Sequence, residues 1–367
     1  MNLSDMGADV LRIVSATYPD SLEVSPPSLP GKGFSAAAAQ VNRNKRTLTL
    51  NLKNAKAVKI VHELVKEYDI VLEQFRPGVM RRLKLDYDEL SEVNPTLIYC
   101  SLTGYGQLTS MSSKAGHDIN FMALSGIMGY SGRKDRGPNL LGIPISDIVG
   151  SYNAIIAMLA AVIYRQRTGK GQYLDISMLD STIACTVMSS PGYLAAGASP
   201  GRESLWLNGS TLNDFYETKD GEYISVGGSE PKFWQAFCTA IGREDWRDKG
   251  LEHSELKGEL GSIIKAKTRE EWVAVFCDID ACVEPVLSLA EALDSQIVQE
   301  RDMAVDVPSA DGARIKQLGS PFKFSESPVA IRHAGKTIAE SDTVEVLSEL
   351  GYSEPEIAEL IAQGVLK

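Results

Sequence analysis

The sequence predicts an α/β protein with a large domain on a parallel sheet and a smaller α+β domain. Three observations carry this. Strand and helix patterns alternate between residues 48 and 102. Hairpin and short-helix signals take over after about residue 185. A chain of 367 residues is also longer than one small core organises.

Residues 48–52 read as a short strand. Residues 54–68 carry apolar side chains at 55, 58, 61, 64 and 65, which is helical spacing. Residues 70–72 open a second strand, 86–93 form a short helix, and 97–102 are a third strand after Asn94-Pro95. Strand–helix–strand–helix–strand calls for a parallel sheet with crossover helices. Residues 7–14 read as a further strand, entered from a helix end at 3–6. Residues 19–33 are rich in Pro, Ser and Gly and read as loop. Seven glycines make 104–139 a loop-rich functional region or a lid.

Residues 147–166 give the strongest helix, with Ser146 as N-cap and Gly169 just past the end. Its several apolar faces predict a central, buried position. Residues 173–178 are another strand. Further on, 214–218 and 222–226 flank Lys219-Asp220-Gly221, a hairpin signal. Helices follow at 231–241 and 270–278, the second opened by the capping box Thr268-x-x-Glu271. Two short helices, 343–350 and 354–362, close the chain.

Hydrophobic residues make up 44% and charged residues 23%, the balance of a folded globular chain. The net charge of −11 disfavours nucleic acid as a partner. The longest strongly apolar run, 154–164, is well short of the roughly 20 residues a membrane span needs, so no membrane partner is expected. Residues 1–12 contain Asp5 and Asp9 and no apolar core, which speaks against a cleavable signal peptide. The cysteines at 100, 185, 238, 277 and 282 are odd in number and form no C-x-x-C. A reduced, cytoplasmic compartment is expected, with no disulfide framework and no metal site.

Generic motifs mostly fail. Gly31-Lys-Gly-Phe-Ser-Ala36 matches a loose dinucleotide pattern but follows prolines 26, 27 and 30 instead of a strand. Gly197-Ala-Ser-Pro-Gly201 has the spacing of a nucleophile elbow without the preceding strand. Tyr164 stands where a P-loop ending in Gly169-Lys170 needs glycine.

Of the four histidines, His62, His253 and His333 sit in an amphipathic helix or in polar segments and read as surface or structural residues. His117 lies in the glycine-rich region beside a carboxylate. On its own it fits either a satisfied structural histidine or a proton carrier. Asp147 begins the long helix; with Ser146 as the cap, its carboxylate is left for another task. Basic residues gather at Arg43, Lys45 and Arg46, and again at Arg76, Arg81, Arg82 and Lys84. They are either ordinary solvated charge or contacts for a polyanionic ligand.

Several stretches together resemble the class III coenzyme A transferase family, also called CaiB/BaiF. They are Gly7-Ala-Asp-Val10, Asn42-Arg-Asn-Lys-Arg46 with Thr49-Leu-Asn-Leu-Lys53, and Phe75-Arg-Pro-Gly-Val79. Leu97-Ile-Tyr-Cys-Ser-Leu-Thr-Gly-Tyr-Gly106 and Arg167-Thr-Gly-Lys-Gly-Gln172 before Leu174-Asp-Ile-Ser-Met178 complete the set. The likeness runs from residue 3 to about residue 330. Within the family, Ala115-Gly-His-Asp-Ile-Asn-Phe121, Gly228-Ser-Glu-Pro-Lys-Phe233 and Asp280-Ala-Cys-Val-Glu-Pro-Val286 are similar to the α-methylacyl-CoA racemase subgroup. Transferases tend to carry Gln-Ala where this chain has Met122-Ala123.

The resemblance implies a Rossmann-like large domain in an interlocked homodimer, each chain threaded through its partner. It implies a large domain over 1–185, a linker over 186–205, a small domain over 206–300, a return linker over 301–330, and C-terminal helices over 331–367 that rejoin the large domain. It implies an acyl-CoA substrate, with coenzyme A entering as part of the substrate and no separate cofactor. Arg43, Lys45, Arg46, Arg76 and Tyr105 are the expected coenzyme A contacts. His117 and Asp147 are the expected proton carriers on opposite faces of the α carbon, with Glu230, from the partner chain, orienting the imidazole or relaying its proton. Enolate donors are expected at the helix N-terminus near Asp147 and in the 126–132 backbone. A transferase would instead use Asp147 as nucleophile and would not need His117 as a base. A third reading is an inactive coenzyme A-binding protein. Relatives carry a strand and most of a helix ahead of Gly7-Ala-Asp-Val10, so the recorded start is expected to be internal. They also carry Asp-Arg-Pro after the first strand, where Val14-Ser-Ala16 stands here, and many have a glycine-rich turn at Asp147-Ile-Val-Gly-Ser151.

Overall fold

The computed structural model describes residues 1–18, 20–31 and 33–367. Pro19 of the proline-rich loop and Lys32 of the dinucleotide-like pattern lie outside the described residues. In chain order the elements used below are β1 (Val10–Ser15), β2 (Lys45–Leu50), α1 (Ala55–Glu67), β3 (Ile70–Glu73), α2 (Tyr87–Val93), β4 (Ile98–Thr103) and α3 (Asp118–Leu124). Then come α4 (Ile145–Thr168), β5 (Gln172–Ser177), α5 (Met178–Ala184), β6 (Asp214–Glu217), β7 (Tyr223–Val226), α6 (Pro231–Ala240), α7 (Lys257–Ile264), α8 (Arg269–Phe276), β8 (Val283–Pro285), α9 (Thr343–Glu349) and α10 (Glu354–Ala362). The chain divides into two compact units. One holds Met1–Ser101, Ala154–Asp175 and Leu289–Lys367; the other holds Leu102–Asn153 and Ile176–Ser288.

In the first unit, α1 forms where the periodicity predicts. Asn54 caps it, accepting the Lys56 amide at 2.9 Å. Its buried face is Ala57, Ile60, Val61, Leu64 and Val65. That face packs into a core with Leu48 and Leu50 of β2, Leu97 and Tyr99 beside and on β4, and Val346, Leu347, Ile357 and Leu360 of the tail helices. Each such aliphatic side chain contributes roughly 1.5–3 kcal/mol by leaving water. Parallel pairing is present, but in two ladders: β1 with β2, and β3 with β4 and β5. The sequence pattern predicts one sheet running through β2, β3 and β4. The tail explains the difference. On β2, the Thr47 amide donates to Asp342 Oδ2 at 2.8 Å and the Thr49 amide to Thr343 Oγ1 at 3.1 Å. The far edge of β2 is thus satisfied by the start of α9, which leaves no donors there for another strand.

The helix predicted over 147–166 runs from Ile145 to Thr168. It buries one stripe, including Ala154, Met158 and Ala161, and leaves Ile156 63% and Ile163 51% exposed in the single chain. The expectation of a central, buried helix is met on that stripe alone within the single chain. The same helix bears on the reading of apolar runs. Among the described residues, α4 alone is long and apolar enough to cross a membrane by length and composition, with 24 residues and a mean hydropathy of 1.6 in its best window. The run 154–164 understates it because Ser151 and Asn153 interrupt the apolar run without interrupting the helix.

The second unit contains the predicted hairpin. β6 and β7 pair antiparallel, with β8 added on β7. Gly221 turns the chain at φ +79°, a value that favours glycine. The Thr268–Glu271 capping box starts α8: Thr268 Oγ1 accepts the Glu271 amide at 3.2 Å, and Glu271 accepts the Thr268 amide at 2.7 Å. The core is aromatic. Trp234 and Trp246 stack with centroids 6.5 Å apart, and Trp272 stacks on Phe276 at 5.8 Å. Both buried indoles of Trp234 and Trp272 find carbonyls, on Trp246 at 2.9 Å and Ile264 at 2.7 Å.

Candidate active site

The glycine-rich region is not all loop: it holds α3 and a further turn of helix at Ile127–Tyr130. His117 is the residue just before α3, with φ −127° and ψ 173°. Its backbone N–H donates to Asn120 Oδ1 at 3.0 Å, which fixes the entry into the helix. Beneath it, Tyr105 and Phe121 meet edge to face with centroids 5.1 Å apart. The backbone of Gly104 and Gly116 lies directly on these rings.

His117 is exposed, and its imidazole makes no hydrogen bond among the described residues. The other three rings are each committed: His62 Nε2 to the Lys84 carbonyl at 2.9 Å, His253 Nδ1 to Glu255 at 2.6 Å, and His333 Nδ1 to the Ala334 carbonyl at 2.9 Å. Of the four, His117 alone keeps both ring nitrogens available for an external group.

Asp147 stands half-buried in the first turn of α4. Its carboxyl is pushed above the usual aspartate range, first by burial and second by the charge of Asp118, with His117 pulling the other way. The His117 ring and the Asp147 carboxyl therefore act on each other electrostatically. Ser146 is not the cap of this helix. It lies inside it, buried, and its Oγ accepts the Thr182 hydroxyl of α5 at 2.8 Å. The cap comes from α3: Asp118 Oδ1 accepts the Ser146 amide at 2.6 Å and the Asp147 amide at 3.4 Å. The Ser146 and Asp147 amides, two of the donors expected for an enolate at this N-terminus, are therefore already taken. The sequence reading missed Asp118 as a cap; an aspartate in its own helix's first turn carries no sign that it serves another helix.

The segment after α3 is pinned by side chains that no motif announced. Arg202 donates to the carbonyls of Ser131 at 2.9 Å and Met128 at 3.0 Å, and Asn208 to that of Tyr130 at 2.9 Å. Arg133 donates to both oxygens of Asp214, at 2.7 and 2.5 Å, and Lys257 of α7 also reaches Asp214 at 2.5 Å.

The remaining predicted residues are scattered. Glu230 is the exposed residue preceding α6, where its charge helps raise the Cys282 thiol after burial and Asp280. No hydrogen bond or ion pair joins it to His117 or Asp147 among the described residues. Tyr105 is buried, with its hydroxyl 3.5 Å from the Ala115 carbonyl; it supports the His117 loop and is corrected as a coenzyme A contact.

Arg43 is corrected as well. It is 0% exposed, pairs with Asp5 at 2.6 Å and donates to the Leu318 carbonyl, so it has no free face for a phosphate. Lys45 is half-buried and held at 3.2 Å by Asn42 Oδ1, and burial lowers its ammonium's proton affinity. Arg46 is shared between Asp9 at 2.9 Å and Glu349 at 2.7 Å. Arg76 is exposed and free of ion pairs among the described residues.

Comparison with known proteins gives a consistent picture. The model of CoA-transferase family III matches residues 1–336. The whole chain is 32% identical to α-methylacyl-CoA racemase of Mus musculus and covers 92% of it. It is 30% identical to succinate–glutarate CoA-transferase of Agrobacterium fabrum, over 94% of this chain and 91% of that one. A solved CaiB/BaiF family protein from Brucella suis superposes with a TM-score of 0.82 at 26% identity, covering 95% of this chain and 93% of its own.

Proposed function

The chain belongs to CoA-transferase family III, and from that premise we propose that it racemises 2-methylacyl-CoA thioesters by moving the α proton between His117 and Asp147. The observation that carries this reading is the uncommitted His117 imidazole within electrostatic reach of an Asp147 carboxyl whose proton affinity is raised. Racemisation removes the proton α to the thioester carbonyl and returns one to the opposite face. Neutral His117 takes it from one enantiomer while protonated Asp147 donates; the roles reverse for the other enantiomer. A carboxyl that holds its proton more tightly than usual suits that exchange with an imidazole. The enolate between the two steps needs donors at its oxygen. The amides of Asp118 and Ile119, which donate to nothing among the described residues, support placing it over the first turn of α3.

Coenzyme A enters as part of the substrate, and no further cofactor takes part. Lys45, Arg46 and Arg76 are its proposed phosphate contacts. The working form is a cytoplasmic homodimer. Exposed apolar side chains, among them Leu140 at 81% and Leu194 at 79%, support a second copy covering this chain and supplying Glu230 to the pair.

A second reading has its own support in the CoA-transferases among the relatives. There, Asp147 attacks the acyl-CoA carbonyl and the coenzyme A thiolate leaves. The thiolate attacks the aspartyl carbonyl of the anhydride, giving an aspartyl-CoA thioester and expelling the first carboxylate. An incoming carboxylate displaces the thiolate to form a second anhydride, whose acyl carbonyl the thiolate attacks, giving the new acyl-CoA and freeing Asp147. Incubating the protein with (S)-2-methylacyl-CoA in D2O, with and without an added carboxylic acid, separates the two. One deuterium at the α carbon with loss of optical purity is the expected result. A new acyl-CoA from the added acid, without α exchange, would replace racemisation by transfer.

A further inference from the structure

We propose that Asp118 is a positioning residue for Asp147, acting across 29 residues of chain through the backbone of α4 and through its own negative charge. The inference rests on reading Asp147 as a proton carrier. The first amides of a helix have no partner within the helix. In α4 the Ser146 amide is buried and would be costly to leave unpaired. Its acceptor is neither solvent nor a residue of its own turn but Asp118 Oδ1 at 2.6 Å, which also reaches the Asp147 amide at 3.4 Å. Asp118 follows His117 directly, so one turn of α3 presents the imidazole and fastens the helix that carries the opposing carboxyl. A shift of α3 therefore moves both ends of the proton path together.

The same contact brings a second carboxylate beside Asp147. The charged and titratable groups acting on Asp147 are Asp118 and His117, both from α3 and its entry. The α5 side meets α4 with the apolar Met178 against Gly150. Removing the Asp118 charge while keeping its oxygen should therefore loosen the proton on Asp147 without moving it.

Two variants of the full-length protein separate the roles. Asp118→Asn retains an acceptor for the Ser146 amide; Asp118→Ala does not. The carboxyl of Asp147 is titrated by 13C NMR with labelled aspartate, assigned through its loss in Asp147→Asn. In Asp118→Asn its midpoint is expected to fall, with the thermal unfolding midpoint near that of the parent. The acid limb of the α-exchange profile should move to lower pH with it. In Asp118→Ala, α exchange should drop by roughly tenfold or more, as expected when a catalytic group is misplaced, with Asp118→Asn restoring most of it. If Asp118→Ala does not fold, the asparagine titration still decides. An unmoved Asp147 midpoint in Asp118→Asn would overturn the proposal. Absence of α exchange in the parent protein would instead remove the racemase reading and leave the titration as the test of positioning.

Discussion

Gly116 crosses Tyr105 so closely that a methyl group on it would stand 2.5 Å from the Tyr105 hydroxyl and 2.7 Å from Phe121 Cε1. Both rings are buried and locked edge to face, so neither can swing away cheaply. The relief has to come from the backbone that carries His117. Gly116→Ala should cost roughly 1–3 kcal/mol of overpacking strain and lower α exchange about tenfold, with the far-ultraviolet circular dichroism unchanged. A variant with parental exchange would show that the His117 backbone does not depend on this contact.

His117→Ala and Asp147→Asn should fail in opposite directions. In the two-base reading each variant loses α exchange chiefly from the enantiomer whose proton its missing group removes, by roughly 10²–10⁴-fold. Racemisation is lost in both. The assay supplies each pure enantiomer separately in D2O and follows mass and optical purity. A transferase would show another pattern, with Asp147→Asn dead for acyl exchange and His117→Ala largely intact.

Arg43 should matter for stability more than for coenzyme A affinity. Its pair with Asp5 is buried on both sides, 0% and 1% exposed, and Asn44 Nδ2 adds a bond to Asp5 at 2.8 Å. Arg43→Met leaves the Asp5 carboxylate buried without its cation, a change that costs about 3–5 kcal/mol. Urea unfolding should register that loss. A fully stable variant with weakened coenzyme A binding would return Arg43 to the ligand.

What could be read from the chain alone divides along sequence distance. Local codes came through: the spacing that makes α1, the Lys219-Asp220-Gly221 hairpin, and the Thr268–Glu271 box. Each is specified by residues within a few positions of one another. Features made by distant partners did not. The covering of β2 by Asp342 and Thr343 lies some 295 residues from Thr47, and nothing in a strand's own pattern says which element will satisfy its edge. Arg43 and Arg76 look alike in sequence, yet one is sealed against Asp5 and the other lies in solvent. Ser146 has the composition of an N-cap, but the helix begins before it because Asp118 supplies the acceptor. At the candidate site, His117 was visible as an unusual histidine in a glycine-rich setting. Its uncommitted ring became visible only against the three committed ones.

The network on Asp214 gives a prediction in pH. Burial alone would push this carboxyl up, but hydrogen bonds from Arg133 and Lys257 outweigh it and hold it below the usual aspartate range. A carboxyl depressed in the folded state contributes its stability in full above its unfolded value, about 3.9. The contribution drains away as pH falls from there through the lower folded value. Asp214→Asn should therefore cost roughly 1.5–3 kcal/mol at neutral pH, the worth of hydrogen bonds to a charged group. That difference from the parent should hold steady from about pH 5 to pH 8 and shrink only below about pH 4. Urea titrations of both proteins at pH 7, at the top of that acid window and well inside it would trace the curve. A difference that stays constant into strong acid would mean that the ionised form of Asp214 has no special partners, and that Arg133 holds the 126–133 segment by packing alone.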